Sequence, residues 1–317
     1  MLNPGRRTLL SATAGMAGAL LTSGTRALAR EQSVTNSEPT FRYCLNTSTI
    51  RGQKLGLVEE IELAATAGYS AIEPWVREID EYLARGGTLK DLNKRIRDHG
   101  LTVESAIAFF PWVVDDQAQR DQAMIEAKRT MDMLAELGCP RVAAPPTGAT
   151  QQSNLDLQAA GRRYRRLLEL GEQTGVVPQL EIWGHSQSLS RLSEALYVAA
   201  EAQHPRACLL LDVYHLHRGG SDFEGLRLVS GHAMHVMHVN DYPASAQREK
   251  LTDADRVYPG DGVAPLTDIF RTLRERGFRG FLSLELFNRG YWEQDALEVA
   301  RTGLRKTRAA VERALRS

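Results

Sequence analysis

The sequence is poor in cysteine: of 317 residues only Cys44, Cys139 and Cys208 carry thiols, so no disulfide framework organises the fold. It has no surplus of either charge, with 39 basic and 39 acidic side chains, and so lacks the broad basic face that nucleic-acid binding needs. The candidate membrane segment, near the N-terminus, is short and rich in Gly, Ser and Thr, which argues against a lasting anchor. No Gly-x-Gly-x-x-Gly follows the first predicted strand, which removes the usual signature of a dinucleotide fold. Short-period repeats and low-complexity segments are also lacking. What remains, 25% charged and 43% hydrophobic, is the composition of a soluble globular enzyme.

The first 29 residues read as an export signal. Gly5-Arg6-Arg7-Thr8-Leu9-Leu10 opens an Ala/Gly/Leu stretch, and Ala27-Leu28-Ala29 gives a small-x-small cleavage pattern, so the leader resembles the twin-arginine type. Its removal takes away Arg6, Arg7 and Arg26 and no acid, which leaves a mildly acidic protein of periplasmic or otherwise exported location. Residues 30–40 read as a polar linker. Cys44 and Cys208 fall inside predicted strands, where buried free thiols are expected.

From Phe41 onward, strands and helices alternate. Predicted strands run over 41–46, 70–75, 101–108, 141–144, 178–183, 209–215, 234–241 and 281–286. Helices are expected over 54–66, 89–99, 118–137, 155–174, 189–202, 265–276 and 297–315, with a short one near 223–229, and several end at glycine. Eight such pairs in one domain, 41–317, predict an α/β fold, a (β/α)8 TIM barrel following the export signal.

The run Leu209-Leu210-Leu211-Asp212 has no polar alternation, as expected of a strand covered on both faces, and it ends in an acid. Three other strands stop in the same way, at Glu181, His238 and Glu285. Functional groups of a barrel collect at the carboxyl ends of its strands, and these four occupy predicted strands five to eight. Three carboxylates buried together without a cation would cost several kcal/mol per ion. The mixed oxygen and nitrogen set suits one divalent ion, Mn²⁺ foremost, with Mg²⁺, Co²⁺ or Zn²⁺ as alternatives.

Leu180-Glu181, Asp212-Val213-Tyr214-His215, His238-Val239-Asn240-Asp241, the turn Tyr258-Pro259-Gly260-Asp261-Gly262 and Ser283-Leu284-Glu285 together resemble the xylose isomerase-like barrel superfamily of sugar phosphate isomerases and epimerases, ketose 3-epimerases and hydroxypyruvate isomerases. The resemblance spans residues 41–310. It implies that Glu181, Asp212, His238 and Glu285 hold the metal and that Glu181 and Glu285 serve as acid and base. It further implies that His215 and Arg256 contact substrate oxygens. The residues alone leave other roles open for these two, a helix-start histidine paired with Asp212 and a solvated loop arginine.

Outside the shared pattern, Trp183 and His185 follow strand five, either in the pocket or on a surface loop. Glu73, Trp75, Phe109, Phe110 and Trp112 follow strands two and three, where aromatic walls and one polar group commonly hold a sugar ring. His235 is expected to share the inward face of His238. The stretch 242–262 is a candidate lid.

The expected chemistry is a metal-assisted, glutamate-mediated proton transfer next to a carbonyl of a sugar or keto-sugar, through an enediolate, giving isomerisation or epimerisation. A lyase or dehydratase acting on a keto-sugar or keto-glycoside is the main alternative. A phosphodiesterase like the AP endonucleases would need further histidines after strands two and three, where Glu73-Pro74-Trp75 and Ala106-Ile107-Ala108-Phe109 stand instead. A non-catalytic sugar-binding barrel would have lost a metal ligand. The partner is thus a small carbohydrate, with no nucleic acid, no membrane anchor once the signal is cleaved, and a homo-oligomer possible.

Overall fold

The computed structural model describes residues 40–244 and 247–316. The expected export signal at residues 1–29, and all of the linker but its last residue, lie outside the described residues. No helix among the described residues is long and apolar enough to cross a membrane.

Eight parallel strands form one sheet: β1 Arg42–Asn46, β2 Ala71–Glu73, β3 Thr102–Val103, β4 Arg141–Ala144, β5 Val177–Glu181, β6 Leu209–Asp212, β7 Met234–Val239 and β8 Phe281–Leu284. Their order is β3-β2-β1-β8-β7-β6-β5-β4. The seam between β3 and β4 is closed beyond the short β3 ladder, where Ala106 bridges Val142, donating to the Arg141 carbonyl at 3.2 Å and accepting from the Ala143 amide at 2.9 Å. The sheet is therefore a barrel. Its interior is filled by Cys44, Ala71, Ile107, Ala143, Leu210, Val236 and Phe281, a cluster separate from the larger core under the helices.

The helices wrap the outside, and their ends follow the sequence signals. Asp116 caps the helix Gln117–Leu137 by accepting from the Gln119 amide, and Gly138 ends it with a φ of 83°, a backbone conformation that other residues adopt only with strain. All three cysteines are buried and free.

Several expectations require correction. The chain after β1 does not enter a helix at Lys54. Residues Thr47–Gln53 first form a 3-10 turn capped by Asn46, and the helix spans Leu57–Ala67. A helix over Val76–Ala84 directly follows β2, where none was expected, because Glu78 reaches back to the Trp75 amide and starts it. The run through His215 is not all strand. The Asp212 carboxylate accepts from the His215 amide at 2.8 Å, so the acid that ends β6 also caps the short helix Val213–Arg218. Residues 223–228 form a 3-10 helix, and Arg289–Trp292 adds a short helix before the last one, Ala296–Arg316.

Candidate metal centre and pocket

Strand register alone brings the chemical groups to one level. Asn46 pairs with Glu73, Asp212 with His238, and His238 with Ser283, so the last residues of β1, β2 and β6 and the next-to-last of β7 and β8 come to the carboxyl end of the barrel. There one ligand atom each of Asp212, His238 and Glu285 lies within 4.8 Å of the other two, and all three residues are buried. His238 Nδ1 is 3.2 Å from Glu285 Oε2 and 3.8 Å from Asp212 Oδ2. Neither contact is aligned as a hydrogen bond, so a buried ring nitrogen stands between two carboxylates without a hydrogen-bond partner.

The other face of that ring is fully engaged. His238 Nε2 lies 3.0 Å from Glu73 Oε2, which also accepts from Ser283 Oγ at 2.7 Å and Asn46 Nδ2 at 3.0 Å. Burial alone would raise the Glu73 carboxyl, but the His238 imidazole and the Ser283 hydroxyl outweigh it and hold the group below its usual range. An ionised Glu73 fixes a proton on Nε2 and turns Nδ1 toward Asp212 and Glu285, which is how a carboxylate behind a histidine prepares it for a metal. Burial opposes charge on His238 too, yet Glu285 and Glu73 raise its pKa well above normal. A proton on Nδ1 and a divalent ion are therefore alternative occupants, and ion binding releases the proton. The donor set of two carboxylates and one imidazole fits a hard or borderline divalent ion.

Glu73 was expected to touch substrate. It is instead fully buried behind His238, because the β2 end is shorter than predicted and its last side chain points into the barrel. Glu73→Gln keeps the shape and removes the charge, and it should weaken divalent-ion affinity by about 10- to 100-fold. Competition with a chelating dye measures this, and unchanged affinity would deny the positioning role.

Arg256, 1% exposed, completes the electrostatics. Its Nη1 donates to Asp212 Oδ2 at 2.9 Å and to Glu285 Oε2 at 2.7 Å, and its Nη2 donates to Asp253 at 2.6 Å. Burial pushes the Glu285 carboxyl upward, but His238 and Arg256 pull it far below the usual carboxylate range. Asp212 is raised by burial, with Arg256 opposing. Glu181 is not in the three-residue cluster. It lines the cavity, and burial, against the pull of His238, pushes its carboxyl up to about 8.

That cavity, about 260 Å³, is walled by Trp75, Phe109, Trp183 and Phe287, with Glu181, His185, His215, Asp253, Arg256 and Glu285 as its polar groups. Trp75 packs edge-on to Phe109 at 5.2 Å, and Trp183 stacks on His185 at 5.4 Å. The cavity thus gathers Glu181, Trp183, His185, His215, Arg256, Glu285 and Trp75. Trp112, by contrast, is core, its indole bonded to the Pro145 carbonyl. His235 does not share the face of His238. Three residues apart on a strand means opposite faces, and His235 lies near Arg141 and Arg206 at the other end of the barrel.

His215 is buried and held neutral, first by burial and then by Arg256. Its Nδ1 faces the Gly184 amide at 3.2 Å and its Nε2 faces Arg256 Nη2 at 3.1 Å. A neutral ring can accept from only one of these donors. In the 242–262 stretch, Asp241 clamps the base by accepting from the Gly260 and Ala264 amides, while Asp253 ties the middle to Arg256.

Residues to which the sequence reading gives no role of their own include Asn46, Ser283, Asn240, Asp253 and Phe287. Asn240 donates to Asp212 at 3.1 Å and accepts from the Tyr214 amide at 2.9 Å. Asn46 and Ser283 carried a usable signal, since each sits at or near a strand end in the phase of the other site residues. Phe287 carried none beyond its place two residues after Glu285.

The sequence profile of one protein family, the xylose isomerase-like TIM barrel, matches residues 61–310. The inosose isomerase of Bacillus velezensis is 28% identical over 283 residues, covering 86% of this chain and 98% of its own. The 3-dehydroshikimate dehydratase of Pseudomonas putida is 25% identical over 260 residues, covering 78% of this chain and 39% of its own. Among solved structures, that of the IOLI protein with a zinc atom is similar at a TM-score of 0.81 and 26% identity, covering 87% of this chain and 99% of the other.

Proposed function

Because the chain belongs to the xylose isomerase-like TIM barrel family, we propose that it is a divalent-metal-dependent isomerase or epimerase of an unphosphorylated keto-sugar or cyclic polyol ketone. The observation that carries this reading is the Asp212, His238 and Glu285 cluster, buried and with a free ring nitrogen, beside a cavity lined by Glu181. An ion held by those three residues supplies Lewis-acid polarisation of a carbonyl oxygen. Zinc accompanies the similar solved structure, and the oxygen-rich donor set suits manganese as well.

The chain's own groups divide the remaining work. Opposite environments separate the two cavity glutamates, Glu285 ionised and Glu181 raised to about 8. Such a split assigns proton carriage to Glu181. Its carboxylate takes the proton from the carbon next to the carbonyl and returns it to the former carbonyl carbon, while the hydroxyl proton passes to the former carbonyl oxygen, so that one residue on one face completes the carbon-to-carbon transfer of an isomerisation. Epimerisation would require delivery from the opposite wall. His215 Nε2 and Arg256 Nη2 crowd each other, and a substrate oxygen beside them would relieve the mismatch by accepting from both. The aromatic walls exclude water from the enediolate. Arg256 is the one guanidinium lining the cavity among the described residues, and it is already committed to Asp212, Asp253 and Glu285. No lining cation is left for a phosphate, which favours an unphosphorylated substrate, as would the expected route of export.

The second reading is β-elimination of water. It is favoured by the raised carboxyl of Glu181, which, having taken the proton beside the carbonyl, could pass it to a hydroxyl leaving from the next carbon, so that water departs. NMR in D₂O on inosose and on a set of ketohexoses separates the two. Isomerisation gives deuterium incorporation with every hydroxyl retained, whereas elimination gives an enone with a new ultraviolet band. Appearance of the enone would replace the isomerase reading with the dehydratase.

A further inference from the structure

Phe109 is 41% exposed, unusual for a ring that forms part of a substrate wall. It also lines a second cavity of about 400 Å³, to which the helices Val76–Ala84 and Gln117–Leu137 contribute. Trp75, Ile107 and Phe109 line both spaces, so the groove adjoins the candidate active site along a shared aromatic and aliphatic edge. Val76, Ala108 and Phe110 add further apolar lining. Polar groups stand at the rim, where Arg129 and Asp80 make a two-pronged ion pair at 3.0 and 3.2 Å. An apolar floor with a polar rim is the usual form of a small-molecule site.

A six-carbon polyol needs only the smaller cavity, and the groove lining from Trp75 to Phe110 is mostly apolar, with Arg77, Asp80, Glu126, Arg129 and Thr130 as its polar residues. We propose that the groove receives an aromatic substituent carried by the substrate, so that the substrate class is aryl-substituted keto-sugars or keto-polyols, with the sugar at Glu181 and the aryl group packed on Phe109. This rests on the isomerase or lyase reading of the adjoining cavity. The occupant is chosen by continuity: the groove and the cavity of Glu181 share Trp75, Ile107 and Phe109 as lining, so a group carried on a sugar beside Glu181 has the groove as its neighbour, and Trp75 and Phe109, already edge to face, offer the geometry in which aromatic rings pack favourably.

The test is calorimetric titration of the metal-loaded full chain with inosose and with its mono-O-benzyl ethers, alongside saturation-transfer NMR with benzyl alcohol alone. At least one benzyl ether should bind tenfold or more tighter than inosose, since burying a ring is worth at least that factor. In Val76→Trp, whose indole fills the groove from the start of its helix, that ratio should fall below about threefold, and the benzyl alcohol signal should vanish. Inosose bound and exchanged, with no ether binding more tightly, would overturn the aryl site and leave the isomerase reading intact. Failure of inosose, its ethers and the ketohexoses to bind, with a benzyl alcohol signal lost in Val76→Trp, would keep the groove and overturn the isomerase reading. A benzyl alcohol signal absent from the native protein would overturn the groove whatever inosose does, and so would a dimer broken by Val76→Trp, which would assign the groove to a second copy of the chain. The two native-protein comparisons require no variant to fold.

Discussion

Glu181→Gln lowers the rate of deuterium exchange into substrate by about a thousandfold, within the range a positioned acid or base contributes, and leaves the ion content of the protein unchanged. The reasoning is geometric first. Glu181 lines the cavity but stands outside the Asp212, His238 and Glu285 cluster, so removing its charge leaves those three donors in place. Its raised pKa comes from burial, with His238 opposing, rather than from a hydrogen bond. The carboxylates of Glu285, Asp212 and Glu73 add to the rise, and a carboxyl pushed toward the working pH is suited to take and return a proton. The carboxylate form takes the proton, so exchange should rise with pH. A bound cation favours that form, which sets the midpoint between the ordinary 4.5 and about 8. In the glutamine variant this limb disappears. If Glu181→Gln instead lost the ion, Glu181 would be a fourth ligand rather than a free proton carrier. Ion content and exchange, measured on the same sample, distinguish these outcomes.

His238→Ala has two large effects. It removes the only nitrogen donor of the cluster, and the purified protein should carry no divalent ion above background. It also leaves Glu73 and Glu285 buried without the imidazolium that both engage. Breaking a buried ion pair from one side costs about 3–5 kcal/mol, so the metal-free variant should unfold at clearly lower denaturant than the metal-free native protein. Arg256 tempers the loss on the Glu285 side, but nothing replaces His238 beside Glu73, whose other oxygen has no hydrogen-bond partner. Equal stability of the two metal-free proteins would show that His238 is neutral in the fold.

The contrast between Glu73 and Glu181 shows what could be read before the structure. Both are acids at a strand end, and both were marked from that position. A period-two pattern says that a side chain is inward, but not whether it points at substrate or at the back of another ligand. That choice depends on β2 ending at Glu73 and on the reach of His238 across the barrel, distances of packing that leave no trace in sequence. Asp212 shows a similar ambiguity, being strand terminus, helix cap and candidate ligand at once. The apolar run before it displayed the strand, while the cap became visible only with the His215 amide in place. The helix Val76–Ala84 carries a readable signal in Val76, Ile79 and Leu83 at helical spacing, but it follows Glu73-Pro74-Trp75, which reads as extended chain, and only Ile79 in it is buried. The barrel itself was legible because eight buried runs separated by amphipathic segments admit few other closures.

The central claim is that proton transfer beside a carbonyl depends on one divalent ion in the Asp212, His238 and Glu285 cluster. The direct measurement strips the full-length protein with a chelator, returns manganese or zinc in steps, and follows deuterium exchange into inosose against ion bound per chain. Exchange absent from the stripped protein, rising in proportion to bound ion and reaching its plateau at one per chain, is the expected result. Exchange that persists without ion, or a plateau that needs several ions per chain, would contradict the proposed centre.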